Sequence, residues 1–122
     1  GAVVRVEADR ITAIGPEAAA DGADVVDLNG DILAPGYVDL QVNGGGGAQF
    51  NATPTVAALS CMAEAHRGLG ATAILPTLIT DSREKSRAGI EAVTQAVQAG
   101  VRGIAGLHLE GPHPARARMI RR

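Results

Sequence analysis

The chain has 122 residues, about the size of one ordinary domain, and 46% of them are apolar. Only 2% are aromatic, so a core would be built from Ala, Val, Ile and Leu. The net charge of −2 is unevenly divided: residues 1–110 carry 7 basic and 13 acidic groups, and residues 111–122 carry four arginines and no acid. The main body therefore has no electrostatic preference for nucleic acid or acidic membranes.

The single cysteine, Cys61, excludes an intramolecular disulfide and is typical of a reducing compartment, so we expect a cytoplasmic location. Cys61 falls within a helical pattern, where we expect a small buried apolar side chain. No apolar run approaches the roughly 20 residues that a membrane span needs, so we expect no membrane partner.

The first 35 residues predict a small β-module. Alternating patterns predict strands at residues 3–6 and 11–14. A further strand at residues 25–28 is followed by Asn29-Gly30, a strong hairpin signal, and by a returning strand at residues 32–34.

Residues 37–110 predict a β-α-β-α-β succession. The strands are expected at residues 37–42, 73–76 and 104–110. Thr53 is a good N-cap for the first helix, because Pro54 would then occupy the first helical position.

The second helix is expected to begin near Asp81 and Glu84, which resemble a capping box. It should run to Gly100, with Ile90, Val93 and Val97 on one face. Crossovers of this length make the three strands parallel. The fold class is therefore α/β, either a doubly wound sheet or part of a β/α barrel.

Three polar residues lie at the carboxyl ends of two of these predicted strands. Gln41 and Asn43 are two apart at the end of the first strand, so a regular strand would place both on one face. Glu110 ends the third strand and shares a face with His108. Carboxyl ends of parallel strands are where α/β barrels carry their chemistry. The glycine run 44–47 is open to two interpretations, an anion cradle formed by main-chain N–H groups or a flexible loop over the site.

Three segments carry a family resemblance. They are Asp39-Leu40-Gln41-Val42-Asn43-Gly44 with the glycines that follow, residues 70–80 (GATAILPTLIT), and residues 106–112 (GLHLEGP). In their order and spacing, these segments resemble the N-acetylglucosamine-6-phosphate deacetylases of the amidohydrolase superfamily. The resemblance covers nearly the whole chain up to Pro112 and matches roughly the first third of such an enzyme.

The resemblance implies a fold and an activity. The fold would be a partial metal-dependent TIM (β/α)8 barrel of about three β/α units, over residues 36–122, preceded by part of a β-sandwich in residues 1–35. The activity would be hydrolysis of N-acetylglucosamine 6-phosphate to glucosamine 6-phosphate and acetate by metal-activated water. The partner is then a small amino-sugar phosphate, and the family is commonly homo-oligomeric.

The resemblance also assigns site residues. Glu110 matches the family's metal-ligating glutamate, and the cofactor would be a divalent metal, most simply one Zn²⁺. Most of the superfamily carries His-x-His where this chain has Gln41 and Asn43. Amides are poor zinc ligands, so we expect one metal rather than two. Gln41 and Asn43 would bind substrate or the metal-bound water, although satisfying buried main-chain groups is an alternative.

Other ionisable residues are given structural or solvent-exposed roles. We expect His66 and His108 to be structural and Asp39 to orient the end of the first strand. His113 and the arginines after residue 115 would lie in a solvated tail.

The remaining family residues have no counterpart in this chain. Two histidine ligands, the general-base aspartate and most of the phosphate-binding groups lie on later strands of the family's barrel. We therefore assign no catalytic residue within this chain and expect it to be inactive in isolation. Two alternatives stay open: another amidohydrolase of the cyclic-amide class, and a non-catalytic truncated fragment.

Overall fold

The computed structural model describes residues 2–18 and 22–110. His113 and the arginine-rich tail therefore lie outside the described residues. The chain divides into two compact units, with the boundary between Ala34 and Pro35. Within the described residues, no helix combines the length and apolar character needed to cross a bilayer.

The first unit contains one two-stranded antiparallel sheet. Strands β1 (Val4–Glu7) and β2 (Arg10–Ile14) are joined by a turn in which Ala8 has a φ of 56°. A short 3₁₀ turn, Pro16–Ala18, follows. The β-sandwich stays a prediction, because this ribbon is all the sheet in the described residues of the unit.

The predicted strand at residues 25–28 and its return at 32–34 are wrong. Asn29 and Gly30 do form the predicted turn, with φ angles of 50° and 96° and a hydrogen bond from Asp31 N to Leu28 O of 2.9 Å. The flanking segments form no ladder, and Val25 is 84% exposed. The turn is encoded locally, whereas a strand also needs a partner and a covered apolar face.

The second unit contains three parallel strands, β3 (Tyr37–Val42), β6 (Ala71–Leu78) and β7 (His108–Leu109), and β6 lies between the other two. Two short strands between β3 and β6 in the chain, β4 (Gly44–Gly45) and β5 (Ala48–Gln49), form a separate hairpin. Strand β3 has the predicted bounds and β6 is longer than predicted. Of the expected strand 104–110, only two residues form β7, although Ile104 makes an isolated parallel bridge to Ile74.

Helix α1 spans Val56–Arg67 and helix α2 spans Arg83–Gln98. The N-cap of α1 is Thr55 rather than Thr53, because the Thr55 side chain accepts a hydrogen bond from Ala58 N at 3.2 Å. The N-cap of α2 is Ser82, whose hydroxyl accepts from Lys85 N at 3.3 Å. Each helix therefore begins one or two residues later than predicted.

The core lies where these two helices pack on the sheet. Its largest fully buried side chains include Phe50, Leu59, Met62 and Ile74. The buried face of α2 is built from small residues, including Gly89 and Ala96, together with Val93; Ile90 and Val97, which were predicted on that face, are about half exposed.

The glycine run forms a hairpin. Strands β4 (Gly44–Gly45) and β5 (Ala48–Gln49) pair through a two-residue turn at Gly46 and Gly47. Both turn glycines have positive φ angles, 60° and 83°, which L-residues rarely adopt.

Candidate functional site at the strand ends

The ends of the first and third parallel strands meet through two polar side chains. Gln41 Nε2 donates a hydrogen bond to Glu110 Oε1, although the two residues are 69 positions apart. The contact lies at the carboxyl ends of β3 and β7, with β6 between them. The structure therefore places two of the three predicted site residues side by side.

The main chain of Glu110 is anchored on both sides to the end of β6. Glu110 N donates to Leu78 O at 3.0 Å, which extends the parallel ladder by one residue. Glu110 O accepts from Thr80 Oγ1 at 2.7 Å. These two bonds fix the position from which the half-buried carboxylate reaches Gln41.

Asn43 lies one residue beyond β3. Its side chain is half-buried, and its main-chain carbonyl accepts from Phe50 N at 3.0 Å, which ties the strand end to the residue after the glycine hairpin. Asn43 follows Gln41 by two residues, and of the two it is Gln41 that contacts Glu110.

The predicted structural histidines both make polar contacts. His108 is half-buried, and its Nδ1 lies 3.4 Å from the hydroxyl of Thr77. His66 Nε2 lies 3.1 Å from Gly44 O, so this nitrogen carries the proton of that hydrogen bond. His66 Nδ1 lies 3.9 Å from Asp39 Oδ2, which is the distance of an ion pair when the imidazole is charged. His66 thereby links α1 to β3 and to the glycine hairpin.

The prediction that Cys61 is a buried apolar residue is wrong. Cys61 is exposed, and its Sγ donates to Gly46 O at 3.2 Å. A Cβ atom at Gly46 would lie 2.8 Å from that sulfur, so the hairpin approaches α1 where the turn has no side chain. The thiol therefore meets main chain at the hairpin rather than the core side of the helix.

Two carboxyl groups at the start of α2 have pKa values below their ordinary range. The pKa of Asp81 is lowered, first by a hydrogen bond from Ser82 N at 2.7 Å and then by Lys85, whose Nζ lies 3.0 Å from Oδ2. The pKa of Glu84 is also lowered, chiefly by a main-chain hydrogen bond at the same helix end. Both shifts reflect carboxylates at a helix N-terminus, where anions are favoured.

The donor set at the strand ends is incomplete for a metal site. Within residues 2–18 and 22–110, no three His, Cys, Asp or Glu side chains converge. Glu110 offers one carboxylate, and its near neighbour Gln41 offers an amide. A protein zinc site uses three or four protein ligands. This segment therefore fits as the source of one ligand and not as a whole site.

Sequence reasoning missed three polar residues that build this end of the sheet. Thr77 and Thr80 lie on or just after β6 and bond to neighbouring strand ends. The Asn51 side chain makes two hydrogen bonds to the main chain of Ile79: its Oδ1 accepts from Ile79 N at 3.0 Å, and its Nδ2 donates to Ile79 O at 3.3 Å. Hydroxyl residues within the apolar run ILPTLIT were the available signal for the two threonines.

Curated relatives of the chain carry closely related names. The chain is 50% identical over 86 residues to the N-acetylgalactosamine-6-phosphate deacetylase of Shewanella sp., a match over 70% of this chain and 22% of the relative. It is 34% identical over 111 residues to the N-acetylglucosamine-6-phosphate deacetylase of Haemophilus influenzae, over 90% of this chain and 29% of the relative. The chain thus spans about a quarter of these relatives. No protein-family model matches it.

Solved structures give the same result for the fold. The crystal structure of the N-acetylglucosamine-6-phosphate deacetylase from Pasteurella multocida matches 88% of this chain and 28% of its own with a TM-score of 0.80 and 35% identity. A Mycobacterium smegmatis deacetylase variant in complex with N-acetyl-D-glucosamine-6-phosphate matches 91% of this chain and 28% of its own, with a TM-score of 0.72 and 31% identity.

In sequence and in fold, the chain is similar to one segment of the N-acetylglucosamine-6-phosphate and N-acetylgalactosamine-6-phosphate deacetylases. The resemblance predicted from the three sequence segments is confirmed.

Proposed function

We propose that the chain is part of a hydrolase that removes the acetyl group from N-acetylglucosamine 6-phosphate, releasing glucosamine 6-phosphate and acetate. The observation that carries the proposal is the contact between Gln41 and Glu110 at the carboxyl ends of parallel strands. Relatives named as amino-sugar-phosphate deacetylases over most of the chain support it.

The three parallel strands would be the first three of a (β/α)8 barrel, and the first unit would be part of a β-sandwich. Support comes from the strand order β3-β6-β7, with one helix after each of the first two strands, which is the repeat of such a barrel. Such a barrel takes about 250 residues, which is more than this chain provides. For the whole protein we propose a cytoplasmic location and a homo-oligomer.

Glu110 would supply one carboxylate ligand to a single divalent metal, most simply Zn²⁺, with its other ligands outside the described residues. A bound metal of this kind makes water nucleophilic near neutral pH. Gln41 lies against Glu110 and would orient either that carboxylate or the substrate, and Asn43 would add a second amide beside it. The role of these amides is therefore binding and orientation, because an amide neither gives up nor takes a proton near neutral pH.

The substrate epimer is the point on which the relatives divide. The Shewanella relative, at 50% identity, is named for the galactosamine sugar, whereas the Haemophilus relative is named for the glucosamine sugar. N-acetylgalactosamine 6-phosphate is therefore a second candidate substrate, and both sugars belong in every assay.

A chimeric enzyme tests the proposed function. Residues 35–110 of this chain would replace the matching segment of the Pasteurella multocida deacetylase, and acetate release would be measured on both amino-sugar phosphates and on a cyclic amide. We expect acetate from at least one of the sugars. A folded, metal-loaded chimera that is inactive on both sugars would contradict the proposal, and turnover of the cyclic amide alone would favour the alternative class.

The isolated chain gives the complementary test. Purified chain incubated with N-acetylglucosamine 6-phosphate and Zn²⁺ should release no acetate, because one carboxylate does not form a zinc site. Turnover would mean that the segment holds more of the chemistry than we assign to it.

A further inference from the structure

Strand β3 contains one extra residue just before the candidate site. Asp39 pairs with Ile74 of β6 and Val42 pairs with Pro76, so three steps along β3 lie against two along β6. Such a bulge interrupts the alternation of side chains. Asp39 and Val42 consequently face the same way: Asp39 Oδ2 lies 3.9 Å from His66 of α1, and Val42 is buried in the core beneath the helices.

The bulge decides where Gln41 points. In an unbroken strand, Gln41 would share a face with Asp39, two residues earlier, and would turn towards α1. In the bulged strand it lies opposite Val42, on the face where it meets Glu110. The Gln41–Glu110 contact therefore depends on the extra residue and not on simple alternation.

Two side-chain oxygens hold the main-chain N–H groups of the bulge. Gln41 N donates to Asp39 Oδ1 at 3.1 Å, and Val42 N donates to Thr77 Oγ1 at 2.9 Å. The Thr77 hydroxyl donates to Leu75 O at 3.2 Å, so it both accepts and donates.

The two oxygens differ in how easily water could replace them. Thr77 is fully buried, at 0% exposure, whereas the Asp39 side chain is 44% exposed. Removing a buried partner leaves an unsatisfied donor, whereas water takes over at an exposed one. Thr77 Oγ1 also lies 3.4 Å from His108 Nδ1, so this one hydroxyl touches all three parallel strands.

We propose that Thr77 is a positioning residue of the deacetylase site: its hydroxyl holds the β3 bulge through Val42 N and so turns Gln41 onto Glu110. The geometric part concerns this chain alone, and the catalytic consequence rests on the proposed function. Thr77 touches neither substrate nor metal in this scheme and acts through the direction of Gln41.

Nuclear magnetic resonance on the ¹⁵N-labelled chain tests the geometry. In Thr77→Val, which keeps the branched shape and removes the hydroxyl, the Val42 amide should exchange with solvent about tenfold faster or more. The Gln41 side-chain NH₂ signals should move towards solvent-exposed positions. Thr77→Ser, which restores the hydroxyl, should return both signals towards the wild-type values.

Thr72→Val is the matched control. Thr72 lies on the same strand, is exposed, and donates to Tyr37 O at 3.3 Å at the far end of β3, so its loss should leave the Val42 and Gln41 signals unchanged. A folded Thr77→Val chain with wild-type signals, or a serine variant that restores neither, overturns the proposal. If Thr77→Val does not fold, the wild-type chain decides: a nuclear Overhauser contact between the Thr77 hydroxyl and the Val42 amide supports the proposal, and its absence overturns it.

The chimeric enzyme separates this inference from the proposed function. There, Thr77→Val should lower kcat/KM about tenfold or more, as the loss of one positioned group does, and Thr77→Ser should recover most of it. If the chimera without further substitution is inactive but the expected resonance changes are seen, the proposed function is contradicted and the role of Thr77 in the β3 bulge is supported. An active chimera in which Thr77→Val changes nothing would contradict the inference alone.

Discussion

The substitution Gly89→Ala is predicted to destabilise the chain, although alanine is a better helix former than glycine. Gly89 faces the sheet from the buried side of α2. A Cβ atom there would overlap Leu78 Cδ1 and would lie 3.1 Å from its Cγ and 3.3 Å from its Cδ2, inside the 3.4 Å at which ordinary contact begins. Leu78 is 2% exposed, so its side chain cannot retreat into solvent.

Two opposing terms set the magnitude. Replacing glycine by alanine inside a helix gains up to about 1 kcal/mol of propensity. Forcing a methyl group into a packed interface costs about 1–3 kcal/mol. Because three atoms of one buried side chain are in conflict, we take the upper end of that cost and expect Gly89→Ala to lower the free energy of unfolding by about 2 kcal/mol.

Urea unfolding and a double-mutant cycle measure this effect. Leu78→Ala alone should cost about 2–5 kcal/mol, as buried leucine truncations do. Because it removes the clashing atoms, adding Gly89→Ala to it should be neutral or stabilising, so the two effects should not add. Gly89→Ala that stabilises the wild-type chain, or additive effects in the cycle, would refute the close-packing argument. The packing of Gly89 against Leu78 also bears on the candidate site, because the Leu78 carbonyl accepts a hydrogen bond from Glu110 N.

Further predictions concern the helix starts and the thiol. Thr55→Ala should lower stability by about 1 kcal/mol through loss of the α1 N-cap, whereas Thr53→Ala should change it by less than about 0.5 kcal/mol, and urea unfolding of both variants decides which threonine caps the helix. The pKa of Asp81 is lowered from 3.8 in the folded chain, so its contribution to stability is present above pH 3.8 and is lost as the pH falls through the folded value. Asp81→Asn should flatten that part of the acid unfolding profile, and an unchanged profile would contradict the cap arrangement. Cys61 is exposed, so a thiol reagent should label it in the folded chain without denaturant; labelling only after unfolding would contradict its placement.

Local patterns predicted the parts of this fold that depend on local chemistry. The strand Tyr37–Val42 has its predicted bounds, and both helices appear within two residues of their predicted starts. Asn29-Gly30 turns as expected, but the flanking strands do not form, because pairing depends on a partner that a local pattern does not specify. Similarly, the helical pattern correctly placed Cys61 on α1, but it did not predict which face of the helix the glycine hairpin would approach.

The candidate site was predictable in its residues and not in its geometry. Glu110 and Gln41 were selected because polar groups end apolar strands, and the structure brings them into contact. Simple alternation would have kept Gln41 on the face of Asp39, and the bulge that separates them depends on a hydroxyl from another strand, Thr77. A contact between residues 35 positions apart leaves no mark in the local pattern of either strand.

Metal content of the chimeric enzyme tests most directly the claim that Glu110 is a metal ligand. Glu110→Gln would be compared with Glu64→Gln, an exposed glutamate on α1 that pairs with Arg67 at 3.2 Å. Bound zinc and acetate release should both fall at least about tenfold in Glu110→Gln, as expected when a carboxylate ligand becomes an amide, and should stay unchanged in the control. Full zinc occupancy and full activity in Glu110→Gln would contradict the account.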